Sequence, residues 1–214
     1  MNRVHRLHVA DVVYPDWHPR DGVGPVYAFA VITETGTVLV DTGIGPANAT
    51  IDELYRPTRY DLLGAMRLAG VDPSSVVAIV NSHLHFDHCG NNGAFAGVPA
   101  WVQGAEREAA NEPRYTIQEF LQGVDFHLVD GDVEVAPGVR IVATPGHTPG
   151  HQSVLVEMED GLVLIAAQAF EDLPEFTSAR AEGRLGRDHP NLAEAMRDVT
   201  TVHISHDHRV WRAL

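Results

Sequence analysis

At 214 residues, 44% hydrophobic and 21% charged, the chain has the composition of a soluble globular protein, expected as a single domain over 1–214. A formal net charge of −14 argues against nucleic acid or an anionic membrane as partner, and all 15 basic residues are Arg, which excludes lysine Schiff-base chemistry. One cysteine, Cys89, allows neither an internal disulfide nor a multi-cysteine zinc ribbon, and no apolar run nears the roughly 20 residues of a membrane span.

The N-terminal "MNRVHRLHVADVVY" alternates polar and apolar residues and lacks the apolar core of a signal peptide, so a cytoplasmic location is expected. "YPDWHPRDGVGP" (14–25) carries Tyr14, Trp17 and His18 among Pro and Gly, as one wall of a substrate pocket or as a plain surface loop. Val- and Ile-rich runs at 26–33, 37–41 and 75–82 read as strands, with a helix over 60–70 that Gly70 caps. Helical patterns follow at 104–111 and 116–123, strands at 139–145, 152–158 and 162–167, a helix at 191–199 and a strand at 201–205. The alternation implies an α/β protein with two sheet layers and helices outside.

Histidines gather where these apolar runs end. "HLHFDH" packs His83, His85, Asp87 and His88 into six positions. Continued as an extended strand, it turns residues 83, 85 and 87 the same way, so His83 and His85 reach one ion together. His88, past the turn, faces elsewhere and serves a second ion with Asp87. Imidazole and carboxylate suit Zn2+, and also Fe or Mn. "TPGHTPG" fixes His147 between two prolines and two glycines, with His151 in support. "HISHDH" offers His203, His206 and His208. Asp41, at the end of "VLVD", reads as a buried carboxylate that orients a ligand, and Cys89 as a small buried residue.

"HLHFDH", preceded by "VLVDTGIG" and followed by "TPGHTPGHQS" and "ISHD", resembles the metallo-β-lactamase superfamily from about residue 26 onward. "VNSHLHFDHCGNNGAF" and "TPGHTPGHQS" look most like its N-acyl homoserine lactone lactonases. The resemblance implies an αββα sandwich, two mixed β-sheets flanked by helices, with the metal site at one edge. It implies one zinc on His83, His85 and His147 and another on Asp87, His88 and His206. The chain departs from that pattern twice: Gln168 stands where a carboxylate commonly bridges the ions, and Glu171 where the lactonases carry a tyrosine. A neutral amide leaves the repulsion between two dications less well offset, so one firm ion and a weaker second are expected. The expected activity is a metal-dependent hydrolase that opens a lactone or cleaves a related ester through a metal-bound hydroxide. Its substrate is a small molecule, Asp87 shuttles the proton and Glu171 serves as a replacement acid. Two alternatives stand beside it: an iron-dependent oxidoreductase of the same fold, and a metal-binding protein without hydrolase activity.

Overall fold

In the computed structural model, which describes residues 1–213, two mixed sheets stack face to face. The first holds β1 (Arg3–Val13), β2 (Val23–Thr33), β3 (Gly36–Val40), β4 (Thr58–Arg59), β5 (Val76–Val80), β6 (Ala100–Gln103) and β7 (Phe126–Val129), in the order β4-β1-β2-β3-β5-β6-β7. The second holds β8 (Val133–Ala136), β9 (Val139–Ala143), β10 (Gln152–Met158), β11 (Gly161–Ala167), β12 (Val199–Ile204) and β13 (Trp211–Arg212), in the order β13-β12-β11-β10-β9-β8. Strands β3, β5, β6 and β7 run parallel, as do β11 and β12, while the remaining pairs are antiparallel.

The two-residue period of a strand explains the layering. Phe29, Val31, Val38 and Val40 face Ile141, Val154, Val156, Val163 and Ile165 across the gap between the sheets. Their sequence neighbours Ala28, Ala30 and Leu39 face outward and meet Ile51 of α1 (Ala49–Tyr55) and Met66 of α2 (Leu62–Leu68). On the far side Leu155, Leu164 and Ala166 meet Phe176 and Leu192. Strands covered on both faces need apolar residues at every position, which is why these runs lack polar alternation. The four layers are those of the αββα sandwich, and no helix among the described residues is long and apolar enough to cross a membrane.

All seven expected strands form. Helix α2 starts at Asp61, whose side chain accepts from the Leu63 N–H. It ends in a Schellman motif: Gly70, at φ 75°, donates to the Arg67 carbonyl and Val71 to that of Met66. The segment 104–111 contains α4 (Gly104–Ala109), which follows a short α3 (Phe86–Cys89). Two helix expectations are corrected. Residues 116–123 form only a 3-10 turn over Gln118–Leu121, because Gly123 takes φ 71° and turns the chain away. Residues 191–199 break into a four-residue helix, Pro190–Ala193, and a 3-10 turn, Ala195–Arg197. The alternation of the first residues, read only against a signal peptide, is that of β1, with Leu7 and Val9 buried.

His203, on β12, packs 5.5 Å from the Phe29 ring, and its Nδ1 has no partner among the described residues. Burial depresses its pKa to about 4, with Arg6 and Arg212 adding to the shift. The unfolded chain therefore binds more protons than the folded one between that value and the ordinary 6.5. The stability this neutral ring allows is complete above pH 6.5 and is lost as the pH falls towards 4. Between pH 7 and pH 5 the loss is on the order of 2 kcal/mol. His203→Leu is expected to remove this component, so between pH 7 and pH 5 the unaltered chain should lose more of its melting temperature than the variant. Parallel curves would contradict the assignment.

Candidate metal centre

Strand β5 ends at Val80, and the chain then runs irregularly to His85, which starts α3. The expected extended run through residue 87 is therefore replaced by a helical turn. That turn carries Asp87 away from His83 and His85 and sets it beside His88. His147 comes from the loop between β9 and β10, Gln168 from the residue after β11, and His206 from the loop after β12. These segments all leave their strands at one edge of the sandwich, where loops on a rigid scaffold can converge. Two sets result: His83, His85 and His147, and Asp87, His88 and His206, with the ligand atoms of each set within 4.8 Å of one another. His203 lies between the sheets and the His208 Nδ1 pairs with the Tyr27 hydroxyl at 2.8 Å, so of the three C-terminal histidines only His206 joins a set.

The groups behind the rings decide what the rings can bind. Asp41 is 1% exposed and accepts from the Ser82 N–H (2.7 Å), the Ser82 hydroxyl (2.8 Å) and the His88 Nδ1–H (2.8 Å). Ser82 has spent its only hydroxyl proton, so it accepts from the His83 Nδ1–H at 3.0 Å. The Pro25 carbonyl accepts from the His206 Nδ1–H at 2.9 Å. Each neutral ring then presents its Nε2 lone pair to the centre. The His88 and His206 Nε2 atoms stand 3.2 Å apart, with Asp87 Oδ2 at 3.7 and 3.5 Å from them. His83 Nε2 and His147 Nε2 lie 3.1 and 3.2 Å from His85 Nδ1. Lone pairs this close can share a cation. Burial opposes a charge on His88, but Asp87 and Asp41 outweigh it and lift its pKa to about 9. Burial with facing imidazoles holds His83 far below its ordinary value and His85 at about 4. Neutral His83 and His85 are in the form a metal needs, whereas at His88 an ion must displace a proton. The donor set fits two transition-metal ions.

Asp41 and Cys89 sit as expected; burial pushes the Cys89 thiol up to about 12, leaving it un-ionised. His151 is in neither set. Its Nδ1 pairs with the Thr144 hydroxyl (2.8 Å) and its Nε2 accepts from the Gln168 backbone N–H (3.2 Å). Gln168 brings its Oε1 to 3.3 Å from His206 Nε2, and its amide nitrogen donates to both oxygens of Glu171 at 3.1 and 3.2 Å. Glu171 also approaches His147 Nδ1 at 3.4 Å. Burial disfavours its charge, yet these bonds and the His206 ring hold its pKa at about 2.

Glu106 was not anticipated. On α4 and fully buried, it accepts from the Leu84 N–H (2.8 Å), the Thr148 hydroxyl (2.7 Å), the Gly150 N–H (3.2 Å) and the Tyr115 hydroxyl. It ties the loop of His83 and His85 to the loop of His147. Gly150 packs so closely that a Cβ there would sit 2.2 Å from the Glu106 nitrogen. A cavity of about 680 Å³ opens over the two sets, within the usual range for small-molecule sites. Its apolar wall includes Trp17, Ile51, Leu54, Tyr55, Phe86 and Ile117, and its floor includes His85, Asp87, His147, Gln168, Glu171 and His206. The 14–25 loop thus lines the cavity through Tyr14, Trp17 and His18.

The family model of the metallo-beta-lactamase superfamily matches residues 21–208. An N-acyl homoserine lactonase of Bacillus sp. is 37% identical over 203 residues, covering 86% of this chain and 81% of its own length. The lactonase of Bacillus cereus is 36% identical over 204 residues, with the same shares covered. Among solved structures, a mutant of B. thuringiensis AiiA with N-decanoyl-L-homoserine bound at its active site matches at a TM-score of 0.78 and 26% identity, covering 96% of this chain and 93% of that one. An N-acyl homoserine lactone hydrolase with N-hexanoyl-L-homoserine at its catalytic metal centre matches equally well, at 27% identity and the same coverage. The layered sheets, the two donor sets at their edge and these likenesses agree: the chain belongs to the metallo-β-lactamase superfamily, together with its N-acyl homoserine lactonases.

Proposed function

We propose that the protein is a metal-dependent hydrolase that opens the ring of N-acyl homoserine lactones. The observation that carries this reading is the pair of convergent donor sets in the floor of an apolar cavity. The bound N-acyl homoserines of its relatives support the substrate class. We assign His83, His85 and His147 to one ion and Asp87, His88 and His206 to a second, with Gln168 offering its amide oxygen to the latter. Zinc suits imidazole and carboxylate donors best, and iron or manganese would suit them too. Such ions supply Lewis acidity to the ester carbonyl and make water acidic enough to react near neutral pH.

The chain's own residues do the rest. The apolar wall takes the acyl chain and lays the lactone ring against the floor. Asp87, at the junction of cavity and donor set, is placed to take the proton from the attacking water. As the new bond from water oxygen to carbonyl carbon forms and the ring C–O bond breaks, Asp87 returns that proton to the departing alcohol oxygen. The products are a carboxylate and a free hydroxyl on one molecule, the N-acyl homoserine. Asp41 and the Pro25 carbonyl hold the His88 and His206 rings in the orientation this requires. A panel of acyl lactones, aryl esters, thioesters and β-lactams tests the reading. The expected result is metal-dependent turnover that is fastest on acyl lactones. No metal-dependent turnover of any of them would sink it.

A further inference from the structure

Two dications bring four positive charges to a site whose six donors include one carboxylate, Asp87. Where the family resemblance implies a bridging carboxylate, this chain has the neutral Gln168. The structure supplies a carboxylate three residues further on. Both oxygens of Glu171 accept from the Gln168 amide nitrogen, at 3.1 and 3.2 Å. An amide has one nitrogen and one oxygen, so fixing the nitrogen fixes the oxygen: Gln168 Oε1 is turned to 3.3 Å from His206 Nε2. The same Glu171 lies 3.4 Å from Nδ1 of His147, whose Nε2 belongs to the other donor set.

Glu171 is itself held. Its N–H donates to Glu175 at 2.6 Å and its carbonyl accepts from the Arg20 guanidinium at 3.0 Å. The Gln168 backbone is fixed by His151. The arrangement runs without a break from His147 through Glu171 and Gln168 to His206, one ligand of each ion standing at either end. Among the described residues only one other carboxylate outside the two sets pairs with a ligand ring, Asp41 on His88.

We propose that Glu171 and Gln168 together replace a bridging carboxylate: Glu171 is a positioning residue that supplies the negative charge, and Gln168 presents the oxygen to the second ion. The charge acts one bond further from the ions than a direct bridge would, so the second ion is held less tightly than the first but is not lost. A carboxylate that accepts from an amide also pulls charge towards its carbonyl, making Gln168 Oε1 a better donor than an isolated amide. Glu171 thereby acts on the donors of both ions. This rests on the assignment of two metal ions made above, not on the identity of the substrate.

Stepwise binding of zinc ions to metal-free protein, followed by calorimetry without any substrate, tests the relay. Glu171 is 37% exposed at its side chain, so the metal-free Glu171→Gln variant is expected to melt with the unaltered chain. Its second zinc should bind 10- to 100-fold more weakly, the usual effect of losing a group that orients a ligand. Gln168→Asp in the same background should restore the second ion, because a carboxylate at position 168 makes the relay unnecessary. Unchanged binding of both ions by Glu171→Gln would overturn the proposal. So would a loss that Gln168→Asp fails to repair. Failure of the lactone panel with these binding results intact would overturn the substrate reading alone.

Discussion

His85→Ala is expected to strip most of the metal from the first donor set and to abolish turnover. His85 Nδ1 is the atom on which the set converges, 3.1 Å from His83 Nε2 and 3.2 Å from His147 Nε2. Alanine leaves two imidazoles, and a transition-metal ion held by two neutral donors exchanges readily with water and chelators. The fold has little reason to suffer: His85 makes no side-chain cap to α3, and the removed ring is a polar group at the cavity floor. Elemental analysis of the purified variant, with a melting curve as control, reads the effect. Full metal content and full activity would show that these three rings are not a metal site.

Glu106→Ala is expected to cost more stability than any single change at the ligands. The carboxylate is fully buried and no Arg pairs with it among the described residues; its charge is balanced by four donors from three segments. Removing it leaves the Leu84 and Gly150 N–H groups and the Thr148 and Tyr115 hydroxyls without their acceptor. At about 1–3 kcal/mol for each of the three buried groups, with the half-buried Tyr115 hydroxyl able to turn to water, the loss is roughly 3 kcal/mol or more, against a total stability of about 5–15 kcal/mol. It also unties the loop of His83 and His85 from that of His147, so first-site metal affinity should fall along with stability. Glu106→Gln should be milder, because it keeps the volume and one acceptor oxygen. Urea unfolding of metal-free protein measures the first effect. A Glu106→Ala variant within about 1 kcal/mol of the unaltered chain would contradict it.

The centre was more legible in the sequence than the scaffold that holds it. The metal ligands are concentrated, four of them in six positions, and their residue types have few other uses at such density. Asp41 could be read because it ends an apolar run. His206 could not be separated from His203 and His208 by its residues alone. What separates them is register: β12 turns His203 between the sheets, and His208 lies beyond the loop against Tyr27. The residues put Asp87 with His88 but did not show the turn that sets it there, since "HLHFDH" reads equally as a strand end or a helical turn, and the helical turn α3 is what divides the two sets. Glu106 sits in "GAEREAAN" among charged residues that look like a solvated helix face. Only the approach of two distant loops, one of them led in by Gly150, turns it into a buried hub. The Pro25 carbonyl behind His206 is a backbone group that no residue type announces. Short strands such as β6, β7 and β8, of four residues each, hold too few positions for a period to show.

The proposed activity requires metal ions on the two donor sets to open an acyl homoserine lactone ring. The most direct measurement is to remove metal from the unaltered protein with a chelator, return zinc in steps, and record at each step both bound metal and acid released from an N-acyl homoserine lactone. No turnover is expected without metal. Turnover should appear as the first site fills and rise further as the weaker second site fills, and the product should be the N-acyl homoserine. Equal turnover before and after metal removal, or a fully loaded protein that leaves the lactone intact, would contradict it.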